Sequence, residues 1–227
     1  MPLSSLLIPE VLTVLTQIIH YFQTNHAQYW GYVGQHLVLS FSVLVIAMLI
    51  SLPLGYLGSK HPKVALICSS FSQVLRIIPS LGLLFLLIPL IGTGVVPAGI
   101  ALGILAIPPI LINTILGFNE VGTIYQEVGV ALGMNERQLL WQVKVPLALP
   151  YLLNGIKLAL IEIIASATLA TYIGAGGLGT LIFTGLGLYD MADVIIGGAS
   201  VAMLSLITMV GFDLLIRKVE NHEPTRN

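Results

Sequence analysis

Four charged side chains stand inside long apolar runs: Arg76 within 64–91, Lys157 and Glu162 within 147–173, and Asp213 near the end of 194–216. An unpaired charge in hydrocarbon costs at least about 2.5–3.5 kcal/mol, so such groups pair, line water or do work. At about 1.5 Å per residue, Arg76 and Glu162 lie at similar depth, roughly 18 Å from the same side. The spacing predicts a buried Arg76–Glu162 interaction, with Lys157 as the rival partner of the glutamate. Such a pair is either part of a gate or path lining, or a structural clasp. Pro79 and Ser80 follow Arg76, and a proline in mid-span frees a backbone carbonyl, which either serves a passing solute or marks a plain kink. Other chemistries find no support. The five histidines have no metal-ligand spacing, and no Ser/His/Asp or paired-carboxylate set forms at one depth, so no catalytic residue and no metal set is expected.

Two further clusters carry candidate chemistry. Gly174-Ala175-Gly176-Gly177-Leu178-Gly179 looks superficially like a phosphate loop but lacks both a preceding strand and a Lys-Ser/Thr pair. Its glycines instead permit a tight re-entrant turn, with Leu178, Leu181, Ile182 and Phe183 dipping back as an apolar plug. Asp190 and Asp193 follow without a basic companion, as solvated acids or as contacts for a basic partner surface.

The longest polar interruption, 127–146, has the composition of a folded element. Gly133 can close one helix in the left-handed conformation, and Asn135 with Gln138 can cap the next. Two short helices at an angle are expected, after which Pro146 starts a long apolar run.

These residues must be positioned by membrane helices. The chain has 227 residues, 56% hydrophobic and only 8% charged, where soluble domains carry roughly a quarter charged residues. Its mean hydropathy is +0.98. An all-α integral membrane protein follows. Spans are expected at 37–57, 64–91, 95–118, 147–173 and 194–216, each able to cross a hydrocarbon core of about 30 Å. Residues 1–36, with Leu3, Leu6, Leu7, Val11, Leu12, Leu15, Ile18 and Ile19 near helical spacing, read as an extracytoplasmic segment lying along the surface. Tyr29, Trp30 and Tyr32 fit an aromatic belt or plain packing. With no Lys or Arg before Lys60, a cleaved signal peptide is not expected. Lone Cys68 reads as a packing residue, and 218–227 as a short cytoplasmic tail.

Lys60, Lys63, Arg137, Lys144, Arg217, Lys218 and Arg226 fall in alternate connections, and the intervening ones hold no Lys or Arg. The positive-inside rule then puts the N-terminus outside and the C-terminus in the cytoplasm. Splitting 64–91 at Pro79 into two crossings would set basic loops on opposite sides and leave each half too short. One long helix, kinked or straight, is therefore expected.

The pattern Glu127, Gly129, Gly133 and then Val143-Lys144-Val145-Pro146 resembles the coupling loop of ATP-binding-cassette importer permeases, with Val128-Gly129 in place of the family's two alanines and V-x-V-P for its I-x-L-P ending. R-I-I-P-S-L at 76–81 and A-G-G-L-G-T at 175–180 strengthen the likeness, which covers about 36–218. With 88–92 and 108–114, it points to permeases for glycine betaine, carnitine and choline. The resemblance implies a type I importer permease fold of five core helices plus an N-terminal interfacial helix, in the bacterial cytoplasmic membrane. It assigns Glu127, Gly129, Ala131, Leu132, Gly133, Val143 and Pro146 to ATPase coupling across a 119–146 loop. Arg76, Pro79, Ser80, Glu162, Tyr172, Gly176 and Gly177 become candidates for the path or gate. The implied partners are a cytoplasmic ATPase dimer that holds ATP and Mg, a second permease subunit, an extracytoplasmic solute-binding protein and lipid, with no nucleic acid. A quaternary ammonium is held by aromatic faces. Phe71, Phe85, Trp141, Tyr172 and Phe183 are too few for a tight site, so selectivity is expected in the binding protein. A secondary transporter or channel, and a methionine-like amino-acid importer permease, remain the alternatives.

Overall fold

The computed structural model describes residues 4–221, with side chains from residue 12 onward. Leu3, the side chains of Leu6, Leu7, Pro9, Glu10 and Val11, and His222 and Arg226 lie outside the described residues. Among the described residues every regular element is helical. α1 spans Ser4–Thr24 and α2 His26–Lys60, with Asn25 alone between them. The first apolar helix therefore begins at His26 and not near 37. Residues 26–36 are its opening turns. Rings bridge the junction: Phe22 on α1 meets Tyr29 on α2 at 5.1 Å between centroids.

The stretch expected as one long helix is broken. α3 (Pro62–Ile77) and α4 (Ser80–Ile91) meet at 92°. Pro79 causes the break, because a residue before proline is driven from the helical region. Ile78 is accordingly extended at φ −74°, ψ 120°, and the Pro79 carbonyl accepts the Leu83 N–H at 3.0 Å to start α4. Among the described residues four helices are long and apolar enough to cross a membrane, or five if the bent pair is one span.

α5 (Val95–Asn119) is the central helix, packed against α2, α3, α4 and α8 (Val145–Ala167). In a bilayer, lipid is as apolar as leucine, so helices associate through close approach and polar contacts. Small residues supply the approach: Ala98, Ala101, Ala106 and Ala159 are fully buried. A methyl on Gly155 would lie 2.8 Å from the Asn113 Cβ, and one on Gly117 2.7 Å from the Tyr151 Cβ. Polar contact is added where Asn154 donates to Asn113 Oδ1 at 3.1 Å.

Before α8 come α6 (Thr123–Ala131), α7 (Glu136–Leu139) and a π turn at Leu140–Lys144. After it come a 3-10 turn at Leu169–Ile173, α9 (Gly179–Leu188) and α10 (Met191–Glu220). The Gly94 N–H donates to Ile173 O, which ties the 92–94 turn to the 3-10 turn at one end. By chain direction the other end holds the α6–α7 elbow with Lys60, Lys63, Arg137, Lys144, Arg217 and Lys218.

Candidate coupling elbow and translocation face

The elbow is built by two capping devices in succession. α6 ends in a Schellman motif: Met134 N–H bonds Gly129 O at 3.0 Å and Gly133 N–H bonds Val130 O at 2.9 Å. Gly133 sits at φ +78°, where a side chain would be strained. Two residues on, the Asn135 side chain accepts the Gln138 N–H and the Gln138 side chain accepts the Asn135 N–H, both at 2.9 Å. This is the expected capping box.

Gly129 is the buried residue of α6. A methyl on it would stand 2.6 Å from Leu139 Cδ1, with Met134 Sδ and Val143 also close. The small residue therefore lets α6 lie directly on α7 and the π turn. The second short helix is not separate from the next span, since Glu136–Ala167 runs as one helix through the π turn. Pro146 lies in the first turn of α8. Outward, Ile124, Val128 and Leu132 recur every four residues on one exposed stripe, Leu132 at 73% exposure, with Trp141 also exposed. Glu127 and Ala131 are exposed and Val143 is half-buried.

The charged residues pair differently from expectation. Lys157 binds Asp213 on α10 at 2.7 Å, their side chains 15% and 44% exposed, so the lysine is not the glutamate's partner. Arg76, exposed in the last turn of α3, acts electrostatically on Glu162, but they form no ion-pair contact. The break at Ile78-Pro79 explains this, because it ends α3 at once after Arg76 and lets the guanidinium face outward. Equal depth along two helices does not fix which face of each helix a side chain occupies, and Arg76 is on an exposed one. The missed Lys157–Asp213 pair had a legible signal. The two residues lie about 18 and 10 Å from the elbow end of α8 and α10, a difference that a lysine stem largely covers.

The glycine turn is held by α2. Gly174, Gly176 and Gly177 have φ of +83°, +75° and +87°. Gly177 N–H donates to Gln35 Oε1 at 3.1 Å, and Thr171 Oγ1 donates to Gly176 O at 2.9 Å. His36, buried at 1% exposure, places Nε2 3.0 Å from Ile164 O on α8 and packs against Gly177. His36 and Gln35 thus join α2, α8 and the turn, a role that spacing alone did not disclose. The turn sets Tyr172 against Phe183 at 4.1 Å and Phe85 at 6.4 Å between ring centroids. Tyr172 is 58% exposed. Three of the five candidate aromatics are therefore brought together, while Trp141 belongs to the elbow. Leu178 and Leu181 are buried, and Ile182 and Phe183 half-buried. Among the described residues no group of three metal-ligating side chains forms.

Comparison with known proteins adds three findings. Residues 47–221 match the family model described as "Binding-protein-dependent transport system inner membrane component". The chain is 41% identical over 191 residues to the carnitine transport permease protein OpuCB of Listeria monocytogenes, covering 84% of this chain and 87% of that one. It is 36% identical over 205 residues to the glycine betaine/carnitine/choline transport system permease protein OpuCB of Bacillus subtilis, covering 90% and 94%. Among solved structures, an inward-facing MetNI methionine ABC transporter chain aligns with a TM-score of 0.72 at 24% identity, over 84% of this chain and 95% of that chain. An amino acid ABC transporter aligns at 0.71 and 20% identity, over 89% and 97%. The fold is that of a type I importer permease.

Proposed function

The chain belongs to the binding-protein-dependent transport inner-membrane family, and on that premise we propose that it forms the path for a quaternary-ammonium solute such as glycine betaine, carnitine or choline. An extracytoplasmic binding protein delivers the solute, a second permease subunit completes the path, and a cytoplasmic ATPase pair that holds ATP and Mg drives it. The elbow carries this reading. Gly129, Gly133 and the capping box make it rigid, and Ile124, Val128 and Leu132 present an apolar ridge to a partner. The continuous Glu136–Ala167 helix then carries motion of that ridge into the bundle. Lysines and arginines at the elbow end favour a cytoplasmic placement of that end, with the N-terminus outside.

The path lies along Arg76, Pro79, Ser80, Glu162 and Tyr172, with Gly176 and Gly177 holding the turn that presents Tyr172. Phe85, Tyr172 and Phe183 offer ring faces to a cationic head. Tyr172 and Phe183, 4.1 Å apart, leave no room for a cation between them. The site is a platform and not a cage, which suits a loosely fitting path with selection made by the binding protein. The relatives' named substrates favour this class over an amino acid, since the likeness to the methionine transporter concerns the fold alone.

The test is uptake into proteoliposomes holding the permease and its ATPase, with binding protein outside and ATP inside. Radiolabelled carnitine, betaine or choline is expected to accumulate only with ATP. Accumulation without ATP or ATPase, driven by an ion gradient, would instead identify a secondary transporter.

A further inference from the structure

At the elbow end, α8 and α10 leave an open cleft of about 830 Å³ between them. Its members furthest from that end are Lys157 and Asp213, whose bond ties the two helices together. Toward the elbow, Leu147, Tyr151 and Asn154 line it from α8, and Ile216, Arg217 and Glu220 from α10, each set at helical spacing. From Asp213 to Glu220 the cleft runs about 10 Å along the axis. A bilayer of about 40–45 Å around a core of about 30 Å leaves a headgroup layer of roughly 5–8 Å on each side, so a cleft of this length takes in that layer and the first acyl carbons.

Its charges decide what fits. Lys157 is engaged with one oxygen of Asp213 at 2.7 Å. Arg217 and Glu220 remain, both exposed, opposite in sign and three residues apart on the cleft side of α10. Side chains at that spacing stand about 5–6 Å apart at Cβ and favour a pair, yet among the described residues neither enters an ion pair. The cleft therefore presents a guanidinium, a carboxylate and the second Asp213 oxygen, with no net charge. Bases alone would draw an anionic headgroup; here the acids offset that pull. A guanidinium matches phosphate through paired N–H donors, and a primary ammonium brings three donors to carboxylates. Leu158, next to Lys157, and Leu214, next to Asp213, are exposed, so acyl chains find apolar surface at the inner end of the cleft.

We propose that this cleft is a headgroup site for a zwitterionic phospholipid with a primary amine, of the phosphatidylethanolamine kind. Arg217 holds the phosphate, and Glu220 with Asp213 holds the ammonium. The site does not rest on the transport reading. Native mass spectrometry of the full chain, titrated in detergent with phosphatidylethanolamine, tests it. Arg217→Gln and Glu220→Gln should each weaken binding about fivefold. Phosphatidylcholine, whose methyl groups remove the ammonium donors, should bind about fivefold more weakly than phosphatidylethanolamine. Phosphatidylglycerol should also bind more weakly, and Glu220→Gln should reverse that order. Glycerophosphoethanolamine, the same headgroup without chains, should not displace the lipid at equal concentration. Both substituted side chains are exposed at the end of α10, and should one variant fail to fold the other still carries the test. Equal retention of phosphatidylcholine or phosphatidylglycerol by the unaltered chain, indifference to either substitution, or displacement by the chain-free headgroup would each overturn the proposal.

Discussion

Lys157 and Asp213 form a contact that neither a surface pair nor a buried one describes well, because one partner is sheltered and the other is nearly half open. Removing the charge in Lys157→Met should cost about 1–2 kcal/mol, between the exposed and buried limits. For a chain of this size that is a drop of about 2–8 °C in the thermal midpoint. The reversed pair Lys157→Asp with Asp213→Lys should recover part of the loss, as a thermal-shift series in detergent would show. Glu162 behaves otherwise, since it makes no ion-pair contact with Arg76. Glu162→Gln is expected to leave the midpoint nearly unchanged while lowering ATP-driven uptake about tenfold, roughly 1.4 kcal/mol of barrier. Exchanging Arg76 and Glu162 should not restore uptake, whereas a clasp would be restored. Sequence depth identified which charges were unusual. It misjudged partners because depth fixes height in the bundle but not which helix face a side chain occupies.

Elements were legible wherever local chemistry decides the backbone. The Gly133 stop and the Asn135–Gln138 cap depend on residues within a few positions, and both are present. The π turn that fuses α7 to α8 was not legible, because it depends on packing over α6 and not on any residue signal. The break at Pro79 had its cause in the sequence, but charge parity between loops argued against two crossings and was silent on one crossing bent in the middle. Gly129→Leu tests the elbow: its side chain would collide with Leu139, so ATPase copurification should fall about tenfold or more. The bundle core, far from this contact, should keep its thermal midpoint, and Gly133→Ala should have a smaller effect, about 1 kcal/mol of local strain. At the aromatic platform, Tyr172→Ala should depress uptake of a quaternary ammonium several-fold and Tyr172→Phe much less, because the ring face and not the hydroxyl provides the attraction. Equal losses in initial-rate assays would count against that role.

Across the whole molecule, the apolar composition and its interruptions were enough for a helical membrane bundle, and the family motifs were enough for its class. Composition could not show that α5 is the hub, because close approach at Gly117 and Gly155 is a property of pairs of helices. Nor could it show that His36 ties α2 to α8, since a buried histidine has no spacing signature. The central claim is that the elbow protrudes into the cytoplasm and transmits ATPase motion to the bundle. It is tested most directly by cysteine cross-linking in the assembled transporter. Cys68, the one native cysteine, is replaced by serine, and single cysteines are placed at Val128 or Leu132 on the exposed ridge. Both are expected to cross-link to the ATPase subunit from the cytoplasmic side, with a yield that changes when ATP is bound. Labelling of either position by an impermeant reagent from the outer face, or no cross-link in the active complex, would contradict the account.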